Sequence, residues 1–291
     1  MLRPTKRGLA SGLLLAAVLV EGCALVLGIE DVPESAAVPD GGDANQTMDS
    51  STVRDSSDTD TSSDSEAEAT APTFCDGVTP KPTFCADFDK PNSLFGWTSR
   101  TNNSGGTLLV DSVFTRSPPG SLWTASPSLE AGATQQSLLK QTFAVQPSTA
   151  KLAFDLRVLA RDPARLTTLT YLEVGRTPAN YTIALMLTPT GEASIRETFP
   201  ANDAGQRPNI TTPLPFVPGT TDWAHIEIDI RYTQPGAALN LAIGGISILK
   251  DIPLTPEITS PVTSLYFGLN YVYGPASPVD IRGDNVVLYL N

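Results

Sequence analysis

The sequence predicts an all-β protein: a two-sheet antiparallel β-sandwich, preceded by an export signal and an acidic linker. Three observations predict it. Apolar and polar residues alternate with period two in segment after segment from Thr83 to the C-terminus. Clusters of Gly, Pro and Asn punctuate those segments at short intervals. The negative charge that dominates the chain is concentrated before the alternation begins, so the domain itself is close to neutral.

The N-terminus is read first as an address. Arg3, Lys6 and Arg7 precede an uncharged, mostly apolar run from Gly8 to Val20, the n-region and h-region of a secretory signal over residues 1–22. The run ends Val20-Glu21-Gly22-Cys23, which resembles a bacterial lipobox, with an aliphatic residue at −3, a small one at −1 and then the cysteine that receives lipid. Glu21 departs from the usual small or apolar residue at −2. The resemblance implies acylation at Cys23. Because Ala24 rather than Asp follows the cysteine, it also implies the outer membrane if the cell is Gram-negative. An uncleaved signal anchor is the alternative, since apolar residues resume to Ile29 and a span from Gly8 would cross a bilayer. Both readings place the rest of the chain outside the cytoplasm, because the positive charges precede the apolar run.

Residues 23–74 are expected to form a lipid-anchored, disordered stalk. Between positions 29 and 74 there are twelve acids against the single base Arg54, which is −11 of the chain's net −12. Runs such as Asp58-Thr59-Asp60-Thr61 cannot bury enough apolar surface to offset chain entropy, and like charges extend them. The acids lack the spacing of a calcium loop, so no metal is expected here. An acidic chain also excludes nucleic acid as a partner.

The domain occupies residues 75–291. Leu152, Phe154, Leu156 and Val158 alternate with Ala153, Asp155 and Arg157; Ile226, Ile228 and Ile230 alternate with His225, Glu227, Asp229 and Arg231. Tyr181, Ile183, Leu185 and Leu187 make a third such set. Further strands are expected at 107–114, 121–125, 138–145, 167–175, 193–199, 238–243, 246–249, 262–271 and 285–290, with a short helix over 131–140. Strands with one polar face suit antiparallel sheets whose outer faces are wet.

Several landmarks recur in order: Phe84-Cys85-Ala86-Asp87-Phe88-Asp89, then Asp222-Trp223-Ala224-His225, the hairpin ending Gly244-Gly245, and the closing Gly283-Asp284-Asn285-Val286. This progression resembles the concanavalin A-like lectin/glucanase superfamily, including laminin-G-like jelly rolls. It implies a concanavalin A-like jelly roll over most of residues 83–291 and glycans as the class of ligand.

Cys75 and Cys85 sit in two copies of Pro-Thr-Phe-Cys, and an exported pair fits one disulfide. The bond would contribute roughly 2–3 kcal/mol by loop entropy and pin the linker to the first strand. The spacing is not that of a redox-active pair.

Three patterns could carry chemistry. Retaining glucanases of the superfamily place Glu-x-Asp-x-Glu on one strand, and Glu227-Ile228-Asp229 resembles its first two acids. Arg231 stands where the proton donor would be, so the face of His225, Glu227, Asp229 and Arg231 reads first as an ion-paired polar face. His225 could serve as a general base, as in jelly-roll polysaccharide lyases that pair His with Tyr, Arg and Gln. Tyr271 and Tyr273, two residues apart beside Asn270, could stack on sugars at a loop mouth. The expectation is therefore a surface-anchored, non-catalytic binding or adhesion module for extracellular or cell-wall polysaccharide, without cofactor. Its rivals are a polysaccharide-degrading enzyme, hydrolase or lyase, using the Glu227/Asp229 face, and a structural envelope protein with protein partners.

Overall fold

Alternation of the expected kind builds a long series of strands. In chain order they are β1 (Phe84–Ala86), β2 (Ser99–Asn102), β3 (Thr107–Asp111), β4 (Ser121–Ser126) and β5 (Thr134–Phe143). Then come β6 (Thr149–Ala160), β7 (Thr167–Val174), β8 (Tyr181–Leu187), β9 (Ala193–Thr198) and β10 (Asn209–Pro213). The series closes with β11 (Ala224–Arg231), β12 (Ala238–Ile243), β13 (Ile246–Pro253), β14 (Thr263–Tyr273) and β15 (Val279–Leu290). This computed structural model describes residues 72–291, apart from 91–92, 104, 176–179, 203–204, 257 and 259. The expected export signal, the expected lipid site Cys23 and the expected stalk up to residue 71 lie outside the described residues.

Two antiparallel sheets form. The first runs β13-β12-β11-β6-β15-β4-β3, with β1 also paired to β15; the second runs β10-β9-β8-β7-β14-β5-β2. Their inner faces share one core. Phe154, Ile226, Ile228 and Ile281 from the first sheet meet Leu172, Ile183, Leu185 and Phe267 from the second. Burying side chains of this size contributes about 1.5–3 kcal/mol each. Phe267 is a central contact, edge-on to Phe154 at 5.4 Å between centroids and stacked with Trp97 at 6.3 Å. Space for it is made by Gly283: a Cβ there would lie 2.5 Å from the Phe267 ring.

The disulfide is present. Cys75 and Cys85 are joined with a Cα separation of 5.8 Å, and Cys85 on β1 pairs with Val287 of the closing strand. The linker's end is thus tied to the sheet.

Two expectations about elements need correction. The segment 131–140 is not a helix. Its later part is β5, hydrogen-bonded to β14 on one side and β2 on the other. Gln, Ala and Leu suit a helix locally, but two strand partners and an inward Leu139 override that preference. The strands β2 and β10 were not anticipated, and β2 is a short, mostly exposed edge strand. At the other edge of the same sheet lies β10. It is a largely exposed edge strand ending in Pro213, where burial imposes no clear alternation.

The β8 strand departs from the one-polar-face rule. Tyr181, Ile183, Leu185 and Leu187 enter the core, while Thr182, Ala184 and Met186 on the opposite side are also buried. On that outer face Ala184 and Met186 are packed with Tyr171, Leu166 and Tyr266.

Candidate active site on the second sheet

The strand registers assemble that outer face from residues far apart in the chain. Tyr266 on β14 is paired with Lys140 on β5 and with Tyr171 on β7. Tyr171 pairs with Ala184 on β8, and Ala184 with Arg196 on β9. One row across five strands thus reads Lys140, Tyr266, Tyr171, Ala184, Arg196. The next row carries Thr142, Ser264, Glu173 and Thr182. Side chains on one face alternate with core residues, so both rows project away from the core.

Contacts turn the rows into a cluster. The Tyr171 and Tyr266 rings stack at 4.1 Å between centroids with an interplanar angle of 12°. The Lys140 ammonium lies over Tyr266, 4.9 Å from the ring centre. Asn180 donates from Nδ2 to Glu173 Oε2 at 2.7 Å, and Arg207 donates from Nη2 to the Asn180 carbonyl at 2.9 Å. Tyr171, Ala184 and Met186 form a small apolar cluster of their own, with Leu166 and Tyr266 packed against it.

Burial sets the proton affinities. It raises the Glu173 carboxyl above its ordinary value, while the Asn180 hydrogen bond, the charges of Lys140 and Arg207, and the Tyr266 hydroxyl pull it back. Burial also raises Tyr266, with Glu173 adding to the rise and Lys140 and Tyr171 opposing it. Tyr171 is raised well above the ordinary phenol value by burial, then by Tyr266 and Glu173, against the charge of Arg207. At neutral pH both phenols hold their protons. A buried carboxylate, phenols and two cations in contact can accept, hold and donate protons on one surface.

The residues singled out in the sequence fall in two places. His225, Glu227 and Asp229 project from the outer face of the first sheet, since Ile226, Ile228 and Ile230 between them are core. There His225 Nδ1 lies 3.0 Å from Asp155 Oδ1, Lys151 Nζ lies 3.1 Å from Glu227 Oε2, and Arg231 Nη2 bonds Asp251 Oδ1 at 3.3 Å. The Asp155 hydrogen bond raises His225 above the ordinary imidazole value, against partial desolvation. Tyr271 and Tyr273 flank the core residue Val272, so they share the outer face of the second sheet with Tyr266. Their rings lie 4.8 Å apart at 40°, and Asn270 beside them is buried. Among the described residues, no group of three or more His, Cys, Asp or Glu side chains is arranged to hold a metal ion.

No family profile matches the chain, and no curated relative matches its sequence. Solved structures do match. An endo-β-1,4-glucuronan lyase from the fungus Trichoderma reesei is similar over 72% of this chain and 96% of its own, at 13% identity and a TM-score of 0.59. An alginate lyase from Chlorella virus is similar over 72% of this chain and all of its own, at 13% identity and a TM-score of 0.52. A glycoside hydrolase family 16 endo-glucanase from Bacteroides ovatus is similar over 70% and 99%, at 11% identity and a TM-score of 0.50. The fold is a concanavalin A-like jelly roll.

These neighbours overturn the expectation of a non-catalytic binding or adhesion module. The solved structures that share the fold over nearly their whole length include a glucuronan lyase, an alginate lyase and an endo-glucanase rather than only non-catalytic binding modules. The expectation rested on looking for paired acids along one strand. The acid–base cluster of the second sheet is instead built across strands, from Lys140, Tyr171, Glu173 and Tyr266, with Arg207 reaching in from a loop. Periodicity marks Tyr171 and Glu173 as residues of one strand face, but nothing local in the sequence joins them to Tyr266 or Lys140.

Proposed function

We propose that this chain is a polysaccharide-degrading enzyme, and that it cleaves uronic-acid polymers by β-elimination on the outer face of the second sheet. The contiguous group Lys140, Tyr266, Tyr171 and Glu173 carries this reading. Elimination needs three things: a cationic environment for the uronate carboxylate, a base for the C5 proton, and an acid for the departing O4. Lys140 and Arg207 supply the first. Glu173, whose proton affinity burial has raised, takes the C5 proton. The C5–H electron pair becomes the C4=C5 double bond, the C4–O4 bond breaks, and Tyr266 gives its proton to O4. Return of the proton from Glu173 to the Tyr266 phenolate restores the site, with no water consumed.

Hydrolysis fits this face less well. Both stereochemical routes require two carboxyl groups flanking one bond, and among the described strand residues projecting here Glu173 is the one carboxylate. Tyr271 and Tyr273 continue the same face and would stack on sugar rings away from the scissile bond. We also propose that Cys23 carries a lipid and holds the enzyme outside the cytoplasm, where polymeric substrates are met; mass spectrometry of the mature N-terminus tests this.

The deciding experiment incubates the full chain with alginate, glucuronan and neutral β-glucan. Release of new chain ends with the ultraviolet absorbance of an unsaturated uronate is the expected result, and Tyr266→Phe lowers it by about 10²–10⁴-fold. New reducing ends without that absorbance would overturn elimination, and turnover lost on Glu227→Gln would move the site to the first sheet.

A further inference from the structure

Arg196 occupies the far end of the row that contains Tyr266 and Tyr171. Three strand steps separate it from Tyr266, about 14 Å at a spacing of about 4.8 Å per step. Between Tyr171 and Arg196 the row holds only the methyl group of Ala184.

Its environment is unlike that of the other half-buried or buried cations. Arg282 is paired with Asp111, and Arg207 donates to two backbone carbonyls beside Glu173. Arg196 is half-buried, its Nε is fully covered with no hydrogen-bond partner, and no carboxylate among the described residues pairs with it. Burial lowers its pKa with no charge opposing the shift. Desolvating part of a guanidinium without a counter-charge is costly, and its fixed fork of donors matches a carboxylate. A cation held this way on the substrate face is complementary to an anion that arrives with the substrate.

We infer that Arg196 is a distal subsite residue that binds the carboxylate of a uronic acid a few sugars from the scissile linkage, making the enzyme selective for unesterified polyuronate chains. The inference rests on the second sheet being the substrate face. It goes beyond the elimination chemistry, which uses Lys140, Tyr266 and Glu173. Arg196 acts in binding and positioning, not on the reacting atoms.

The test compares the full chain with its Arg196→Gln and Arg196→Lys variants, measuring kcat and KM on long oligouronates and on the shortest one that is cleaved. Arg196→Gln should raise KM for long chains about tenfold, the equivalent of one charge-assisted contact, and leave kcat and the shortest substrate unchanged. Arg196→Lys should recover part of the loss, and carboxyl-methylated chains should not distinguish the three proteins. Equal losses on short and long chains, a fall in kcat alone, or no change would each overturn the subsite. Calorimetric titration with a saturated oligouronate separates the two ideas. If the chain binds it without cleaving it, elimination fails, and the subsite stands only if Arg196→Gln weakens binding about tenfold. If it does not bind, the subsite fails whatever the reaction is.

Discussion

The two outer faces of the sandwich are both polar and both carry acids, cations and a ring that can transfer a proton, yet their charges are organised differently. On the first sheet Lys151 pairs with Glu227, His225 with Asp155, Arg231 with Asp251, and Arg282 with Asp111. Most charges there answer another within the fold, with Asp229, Arg157 and Asp284 as exceptions among the described residues. On the second sheet Lys140, Arg196 and Arg207 share a surface with Glu173, and two stacked phenols lie among them. A face whose charges are mutually satisfied is built for the fold, whereas a face with cations in excess is built for something brought to it. Richness in titratable residues is common to both faces and does not separate them.

The largest expected effect breaks this contrast most directly. Tyr266→Phe should lower turnover of a polyuronate by about 10²–10⁴-fold, the range of general acid–base catalysis, with little change in thermal midpoint. Glu173→Gln should act similarly. Glu227→Gln on the other face should leave turnover within twofold or so of the parent, because that carboxylate answers Lys151. Parallel assays of the three variants decide which face is catalytic.

A second effect belongs to the first sheet alone. Asp284 on β15 is fully buried, accepts the backbone N–H groups of Arg116 and Ser117, and is raised by burial to about 7. A carboxyl whose folded value lies above its unfolded value favours folding when protonated. Its contribution is complete below the ordinary 3.8 and is lost as pH rises toward 7. Denaturant unfolding should therefore show stability falling between pH 4 and 7 by up to a few kcal/mol more in the parent than in Asp284→Asn. Matching slopes in the two proteins would show that Asp284 ionises freely.

The smallest effect sharpens the claim that pairing on the first sheet is weak individually. Lys151→Met should change unfolding free energy by no more than about 1 kcal/mol, since both partners are partly exposed. A larger loss would mean that the face is a tightly coupled network.

Several parts of the fold were legible before the structure. The alternation of Ile226, Ile228 and Ile230 with His225, Glu227 and Asp229 required one wet and one dry face, and that is how β11 lies. Two cysteines ten positions apart became the disulfide. The helix expected over 131–140 failed because pairing with β2 and β14 outweighs local preference. Lys140 lay in both the expected helix and the expected strand over 138–145, and neither reading by itself fixes its relation to Tyr266. Tyr271 and Tyr273 were legible as a pair sharing one side, because a pair two residues apart on one strand is a local feature.

The sequence by itself determined the fold class, which residues of β6, β8 and β11 turn to the core, the cysteine bridge and the uneven distribution of charge along the chain. These follow from residue periods of two, from composition and from short spacings, all readable within a few consecutive positions. Only the tertiary structure decided which strands are neighbours. Tyr266 meets Tyr171, Glu173 and Lys140 across 95, 93 and 126 positions of sequence. Register across a sheet is set by the whole core closing at once, with Phe267 seated against Gly283 and Trp97. A site written across strands acquires its chemistry when those distant segments pair, and no local pattern in the chain records that pairing.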